Sequence, residues 1–310
     1  MSKVLIAGAS GFIGSVLVGK LLNEGHVVTA IDNLMYSQQS LLQYIPNPNF
    51  KFIWGDVNEN EFVDDHITDC DVFIPLASVV GAPACSRFPQ SGLVDKSITR
   101  YRLRNKTVIY PMSNSGYGCK NNEEFCTEDS LLEPISKYGL QKVEVENWLF
   151  KHHPNTITLR LATVFGVSSR MRLDLLVNFF VWKAVTEGVL TVAEPKLKRN
   201  YVHINDVCDC FIHCINNFEV MKGNAYNLGL NTNHSKGELA EIVRSFTGCE
   251  ILETKSYKDP DKRNYIVSNQ KINDAGFIPS VEIEDAIPNL IEACRMIKML
   301  NYGRELNRNA

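Results

Sequence analysis

The sequence predicts an α/β fold, an open, doubly wound parallel sheet with a smaller C-terminal α/β lobe. Three observations carry the prediction. A short apolar strand, Val4–Ala7, runs directly into a glycine turn, Gly8-x-x-Gly11-x-x-Gly14, and then into a helical stretch, Ser15–Glu24. Apolar runs with the length of buried strands recur at 27–31, 50–54, 71–74 and 107–110. Polar residues with chemical potential, Asp32, Asp56, Ser78 and Ser113, fall just past those runs. An open parallel sheet binds its ligands at the carboxyl ends of its strands.

Each element has a local reason. Gly8 permits the tight turn after the first strand, Gly11 lets backbone approach a pyrophosphate at the helix N-terminus, and Gly14 lets helix and strand pack closely. Asp32 ends the second strand, 18 residues after Gly14. A carboxylate there accepts from a free ribose 2′-hydroxyl and repels a 2′-phosphate, which favours NAD over NADP. Further on, Tyr138 and Lys142 lie four apart in a helical run that starts near Pro134, so they share one helix face. An ammonium beside a phenol stabilises the phenolate, so Tyr138 is expected to titrate below the ordinary value of about 10 and to serve as a base.

Composition bounds the alternatives. The chain has 310 residues, 45% hydrophobic and 22% charged, which suits a soluble globular protein with a full core. The expected division is a dinucleotide-binding domain over 1–165 and a substrate lobe over 166–310, with the chain free to cross back between them. A net charge of −3 predicts neither a nucleic-acid nor a membrane partner. The first apolar run is too short for a signal peptide, and nine scattered cysteines, an odd number, read as reduced thiols in a cytoplasmic protein.

Together, Gly8-x-x-Gly11-x-x-Gly14, Asp32, Asp56, Leu76-Ala77, Ser113-x-x-x-Tyr117-Gly118 and Tyr138-x-x-x-Lys142 resemble the extended short-chain dehydrogenase/reductases, the nucleotide-sugar epimerases, dehydratases and related enzymes. The resemblance spans nearly the whole chain. It implies a Rossmann-type domain holding NAD, a smaller lobe holding a nucleotide sugar, and a Ser113/Tyr138/Lys142 triad. It implies cofactor contacts at Gly8, Gly11, Phe12, Ile13, Gly14, Asp32, Asn33, Asp56, Val57, Leu76, Ala77, Ser78, Tyr138 and Lys142, with Asp56 near the adenine. On the sugar side it implies Ser113, Asn114, Thr163, Asn178, Arg199 and Arg263; for Arg263 a solvated surface charge is an equal reading. Relatives pair as homo-oligomers, dimers or tetramers, and one helix of that contact falls in 87–106. Here the stretch is short and polar, without the usual Asn-x-x-Gly-Thr-like signature, which counts against the usual assembly.

In the second half, 156–166 reads as one strand, 173–180 as a helix and 283–300 as a closing amphipathic helix. Asp206 is expected to cap a helix, and His152-His153 to end one. The cluster Cys208, Cys210, His213, Cys214 lacks the paired spacing of a zinc site and reads as small core residues, so no metal is expected.

The residues after Ser113 narrow the reaction. Related 4,6-dehydratases carry an acid pair there; Asn114 and Ser115 cannot transfer those protons, which disfavours dehydration. Two outcomes stay open for a sugar oxidised at its 4-hydroxyl: release of the ketone by a 4-dehydrogenase, or re-reduction by a 4-epimerase. The runs 31–35, 80–85, 114–118, 171–178 and 259–263 resemble a narrower subgroup, the NAD-dependent GDP-mannoheptose 4-dehydrogenases, which implies ketone release and a GDP-heptose substrate. A non-catalytic NAD-binding sensor or scaffold is the reading of another class; retention of the triad disfavours it.

Overall fold

The computed structural model describes residues 1–80, 91–119, 125–254 and 265–308. The first half alternates strand and helix: β1 (Lys3–Ala7), α1 (Phe12–Asn23), β2 (Val27–Asp32), β3 (Phe50–Trp54), α2 (Asn60–Asp69), β4 (Val72–Pro75), α3 (Ser91–Lys96), β5 (Thr107–Ser113), β6 (Phe125–Cys126), α4 (Lys137–His152) and β7 (Thr156–Leu161). The second half holds β8 (Thr163–Phe165), α5 (Leu176–Glu187), β9 (Val189–Ala193), β10 (Lys198–His203), α6 (Ile204–Asn216), α7 (Phe218–Met221), β11 (Asn224–Leu228), β12 (Asn233–Ser235), α8 (Lys236–Thr247), β13 (Glu250–Thr254), β14 (Ile266–Val267), α9 (Gln270–Asp274) and α10 (Ile283–Arg308).

Seven parallel strands form one sheet in the order β11-β7-β5-β4-β1-β2-β3. Every strand is apolar enough to be covered on both faces, as a parallel sheet requires. α1 and α6 cover one face through Leu17, Val18, Leu21, Val207 and Phe211. α2 and α4 cover the other through Val63, Ile67, Val145 and Leu149. The order reverses between β4 and β1, and the crevice at that switch point is where such sheets bind dinucleotides.

The chain does not divide once. It leaves the large sheet after β7, builds β8 and β10, and returns at Asn224–Leu228 to add β11 beside β7. The smaller lobe has its own core, in which α5, α8 and α10 pack through Val181, Leu239, Val243, Ile287 and Leu290.

Several local expectations are corrected. The stretch 156–166 is two strands: β7 in the large sheet and β8 in a three-stranded sheet with β10 and β12. Ala162 between them sends its N–H to Leu228, so the chain changes sheets in one residue. Asp206 does not cap α6. His203 does, accepting from Asn205 N–H, while Asp206 accepts from the backbone of Ser280 and Val281 and ties the last segment down. The helix expected over 173–180 begins at Leu176 and runs to Glu187, and the closing helix extends to Arg308. His152 and His153 do end α4, with the His153 ring bonded to the Lys106 carbonyl. Within the described part of 87–106 there is a short helix, Ser91–Lys96, followed by a 3₁₀ turn, Ser97–Arg100. Among the described residues no helix is long and apolar enough to cross a membrane, and no three ligands gather as a metal site. Cys208, Cys210 and Cys214 are fully buried; desolvation raises the Cys208 thiol well above its ordinary value.

Candidate active site

The glycine turn is forced by contact as well as by torsion. Gly8 has φ +79°, and a Cβ there would lie 2.5 Å from the Ala77 nitrogen. A Cβ on Gly14 would lie 2.5 Å from the Ala9 carbonyl oxygen. The turn and the segment after β4 therefore touch backbone to backbone, and only glycine fits. Gly11 is the N-cap of α1 and offers no side-chain cap, so the first N–H groups of that helix face the crevice as an anion-binding end.

Asp32 closes the adenosine side. It is 7% exposed, and its carboxylate accepts from Ser10 N–H (2.9 Å), Leu34 N–H (2.8 Å) and the Gln38 amide (3.2 Å). Burial pushes its pKa up, against those hydrogen bonds and the nearby Arg170 guanidinium. Leu34 and Ser37 both adopt left-handed backbone (φ 53° and 52°), which folds the loop back over the acid. Asn33 accepts from Met35 N–H, and Asp56 holds Asn58 at the next strand end. Val57 is buried beneath, and its carbonyl accepts from the Tyr101 hydroxyl. Strand, glycine turn, helix and a buried acid at the next strand end, all at the switch point, fit a dinucleotide.

The reacting end is built by β5 and α4. Ser113 is the last residue of β5, half-buried, and its Oγ accepts from Ser115 N–H, capping a 3₁₀ turn. Ser136 caps α4 by accepting from Gly139 N–H. A Cβ on Gly139 would lie 3.0 Å from the Ser115 carbonyl, so the first turn of α4 sits against the turn that follows Ser113. Tyr138 is the neighbour of Gly139 in that first turn. Lys142, one helical turn on, has its Nζ 5.9 Å from the Tyr138 ring centre and 4.9 Å from that of Tyr110.

Lys142 is buried, 2% exposed, and pairs with Asp95 at 2.8 Å. Burial lowers a lysine pKa, but Asp95, with Tyr110 and Tyr138, outweighs it and holds Lys142 above its ordinary value, so it stays an ammonium. Asp95 also accepts from the Ser78 hydroxyl at 3.0 Å. The segment 76–78 thus contributes Ala77 against the glycine turn and Ser78 to the lysine's partner.

Asn114 and Ser115 are each 1% exposed, and the Asn114 amide and Ser115 hydroxyl have no hydrogen-bond partner among the described residues. A buried amide without partners is costly, and this one directly follows Ser113.

The sugar-side residues are not all brought together. Thr163 lies on β8, half-buried, opposite Tyr201. Asn178 is fully buried, and its amide is occupied by the protein: it accepts from Gly166 N–H and donates to the Arg172 carbonyl. Its side chain braces the loop between Gly166 and Arg172. Arg199 is 3% exposed, bonded to the Lys198 carbonyl and 6.0 Å from the Tyr265 ring. Arg263, with the run 259–263, and residues 81–85 lie outside the described residues.

Sequence reasoning missed the segment 168–172. Ser168 bonds both the Ser15 hydroxyl and the Phe12 carbonyl at 2.8 Å, tying the substrate lobe to the start of α1. Arg170 lies over the Tyr36 ring at 4.7 Å. Arg172 pairs with Asp174; burial lowers its pKa, yet Asp174, with Tyr138 and Tyr36, raises it overall. The signal is in the string, cations and polar residues between a glycine and a helix, but nothing local says that it folds over a crevice built by the first strands of the chain.

A family model described as the NAD dependent epimerase/dehydratase family matches residues 4–229. Among curated proteins, the low-salt glycan biosynthesis protein Agl12 of Haloferax volcanii is 27% identical over 94% of this chain and 96% of its own. Among solved structures, the UDP-glucuronic acid 4-epimerase of Bacillus cereus, in complex with UDP-glucuronic acid and NAD, superposes with a TM-score of 0.84 at 21% identity, covering 95% of this chain and 99% of that one. The dTDP-glucose 4,6-dehydratase of Bacillus anthracis, in complex with NAD, gives 0.81 at 19% identity over 94% and 96%. The family match covers most of the chain, which belongs to the NAD-dependent epimerase/dehydratase family of extended short-chain dehydrogenase/reductases and is an enzyme that uses NAD.

Proposed function

We propose that this enzyme oxidises the 4-hydroxyl of a nucleotide-linked sugar and releases the 4-ketone without dehydration. NAD, when bound, takes the hydride. Tyr138 removes the hydroxyl proton, Ser113 orients that oxygen, and Lys142 holds a positive charge beside the phenol. Asn114 contacts the sugar or the nicotinamide with its unpartnered amide. Arg199, and Arg172 with it, are the cations for the diphosphate, since a guanidinium fork matches phosphate oxygens. The observation that carries the absence of dehydration is the buried Asn114-Ser115 pair directly after Ser113, where no carboxylate stands to move the second proton. Ketone release and a GDP-heptose substrate rest on the subgroup resemblance of the sequence.

A second reading, 4-epimerisation, draws on a different observation. Segment 168–172 straps the cofactor crevice through Ser168 on α1 and Arg170 on Tyr36. A cofactor held under that strap stays in place while a ketone turns over and is reduced again. Absorbance near 340 nm with NAD and a panel of GDP- and UDP-sugars, heptoses included, separates the two. A lasting rise with one sugar is expected. A flat trace with a new epimer by NMR would replace the first reading with the second. Tyr138→Phe is expected to keep NAD and lose turnover by about 10²–10⁴-fold; unchanged turnover would sink the base assignment.

A further inference from the structure

The proposed mechanism uses Lys142 but does not explain why its ammonium is paired with a carboxylate inside the protein. The Lys142 and Asp95 side chains are 3% and 1% exposed, and they meet at 2.8 Å. Asp95 comes from α3, and its other oxygen is held by Ser78 on the segment after β4. Three separate stretches of chain are thus linked through one carboxylate. Desolvating two charges costs several kcal/mol each, and a pair of this kind adds little net stability over apolar packing. A surface lysine position or an apolar residue at 95 would serve the fold at least as well, so the pair calls for a reason in the chemistry.

Other charged and titratable groups face this point. Tyr110 comes from β5, Tyr138 from α4, and the Arg172 charge from the segment before α5. Tyr101, from the 3₁₀ turn after α3, is directed away to Ser97 and the Val57 carbonyl. The Lys96–Glu144 pair between α3 and α4 is half-exposed and screened by water. Arg172 carries its own carboxylate, Asp174; among the described residues, Asp95 is the carboxylate paired with the Lys142 ammonium. An ammonium whose nitrogen lies 5.9 Å from the centre of a phenol ring draws the phenol's proton off; a carboxylate paired with that ammonium opposes the pull.

We infer that Asp95 is a positioning residue of the active site: it anchors Lys142 beside Tyr138 and, by balancing the lysine's charge, sets the pH at which Tyr138 gives up its proton. The inference rests on the reading of Tyr138 as the base. Its consequence has a definite sign. Without the carboxylate the ammonium acts unopposed, the phenolate is favoured, and Tyr138 titrates at lower pH. Ser78 works the other way. Its hydroxyl draws on the Asp95 charge, so removing it strengthens the carboxylate's field and raises the pH at which Tyr138 titrates.

The test follows Tyr138 itself and needs no sugar. In protein labelled at tyrosine ¹³Cζ, the resonance that disappears in Tyr138→Phe is titrated with NAD present. Asp95→Asn keeps the size of the side chain and one acceptor for Lys142. Its midpoint is expected about one pH unit below that of the parent, and the acid limb of kcat follows by the same amount. Coincident midpoints in folded protein overturn the inference. Should Asp95→Asn not fold, Ser78→Ala decides: a midpoint moved to higher pH supports the inference, and one that stays or falls overturns it. Failure of the underlying reading shows elsewhere, as turnover that survives Tyr138→Phe, whatever the titration reports.

Discussion

Helix α4 carries two buried ion pairs one turn apart, and they are used differently. Lys142 pairs with Asp95; Glu146 pairs with Arg160 on β7 at 2.7 Å, with side chains 1% and 7% exposed. The second pair is saturated. Glu146 accepts two Arg160 nitrogens and the Thr158 hydroxyl, and Arg160 also donates to the Tyr117 hydroxyl and the Glu128 carbonyl. Tyr117 passes the network on to Asn227 of β11. Every fork of the guanidinium is matched, so this pair fixes α4 to β7 and β11. Burial lowers the Arg160 pKa, but Glu146 and Tyr117 raise it further, so its charge is permanent. Lys142 instead meets one carboxylate and two aromatic rings. An ammonium has three donors, and a lysine so placed can take a ribose or tune a phenol. One pair is closed by a full set of protein partners and the other is not, and on the proposed mechanism that difference in hydrogen bonding separates scaffold from site.

That comparison can be broken in three places. The largest effect is expected at the open pair. Lys142→Met leaves Asp95 buried without its cation and lowers turnover on the order of 10³-fold. Adding Asp95→Asn is expected to restore thermal stability but not turnover, and a recovery of both would mean that Lys142 is scaffold too. At the closed pair the balance reverses. Arg160→Met strands the Glu146 carboxylate and is expected to cost about 3–5 kcal/mol in denaturant unfolding. NAD affinity of the remaining folded protein stays unchanged; a loss of NAD affinity beyond the loss of folded protein would join the two pairs into one unit. The smallest effect lies outside both. Ser235 and Glu238 form a capping box at the start of α8 in the substrate lobe. Ser235→Ala should cost about 1 kcal/mol and move neither NAD binding nor turnover, measured by calorimetry and at 340 nm.

Much of the cofactor side is legible in the amino-acid string. Gly8, Gly11 and Gly14 recur at three-residue spacing between strand and helix; Gly14 meets the Ala9 backbone within the same turn, while Gly8 combines a positive φ with a contact to Ala77 from the next strand end. Asp32 follows from counting along one strand–helix–strand unit. Tyr138 and Lys142 follow from the helical period. The sugar side is less legible. Asn178 has the right place in the chain, yet its amide closes a loop, because burial left Gly166 and Arg172 as its partners. The strand read over 156–166 is two, because an apolar alternation does not record which sheet a strand enters.

Local sequence was enough for the strands β1 to β5, the glycine turn, the acid at the end of β2 and the tyrosine–lysine spacing on α4. All of these depend on neighbours within about one supersecondary unit, where backbone sterics and the helical period decide the outcome. Packing of distant segments was needed to bring Asp95 to Lys142 from a different helix, Ser78 to Asp95, and Arg170 over the Tyr36 ring. Charges in a string carry no partner; partners are assigned when packing removes water, and the cost of burying a charge alone selects which ones meet.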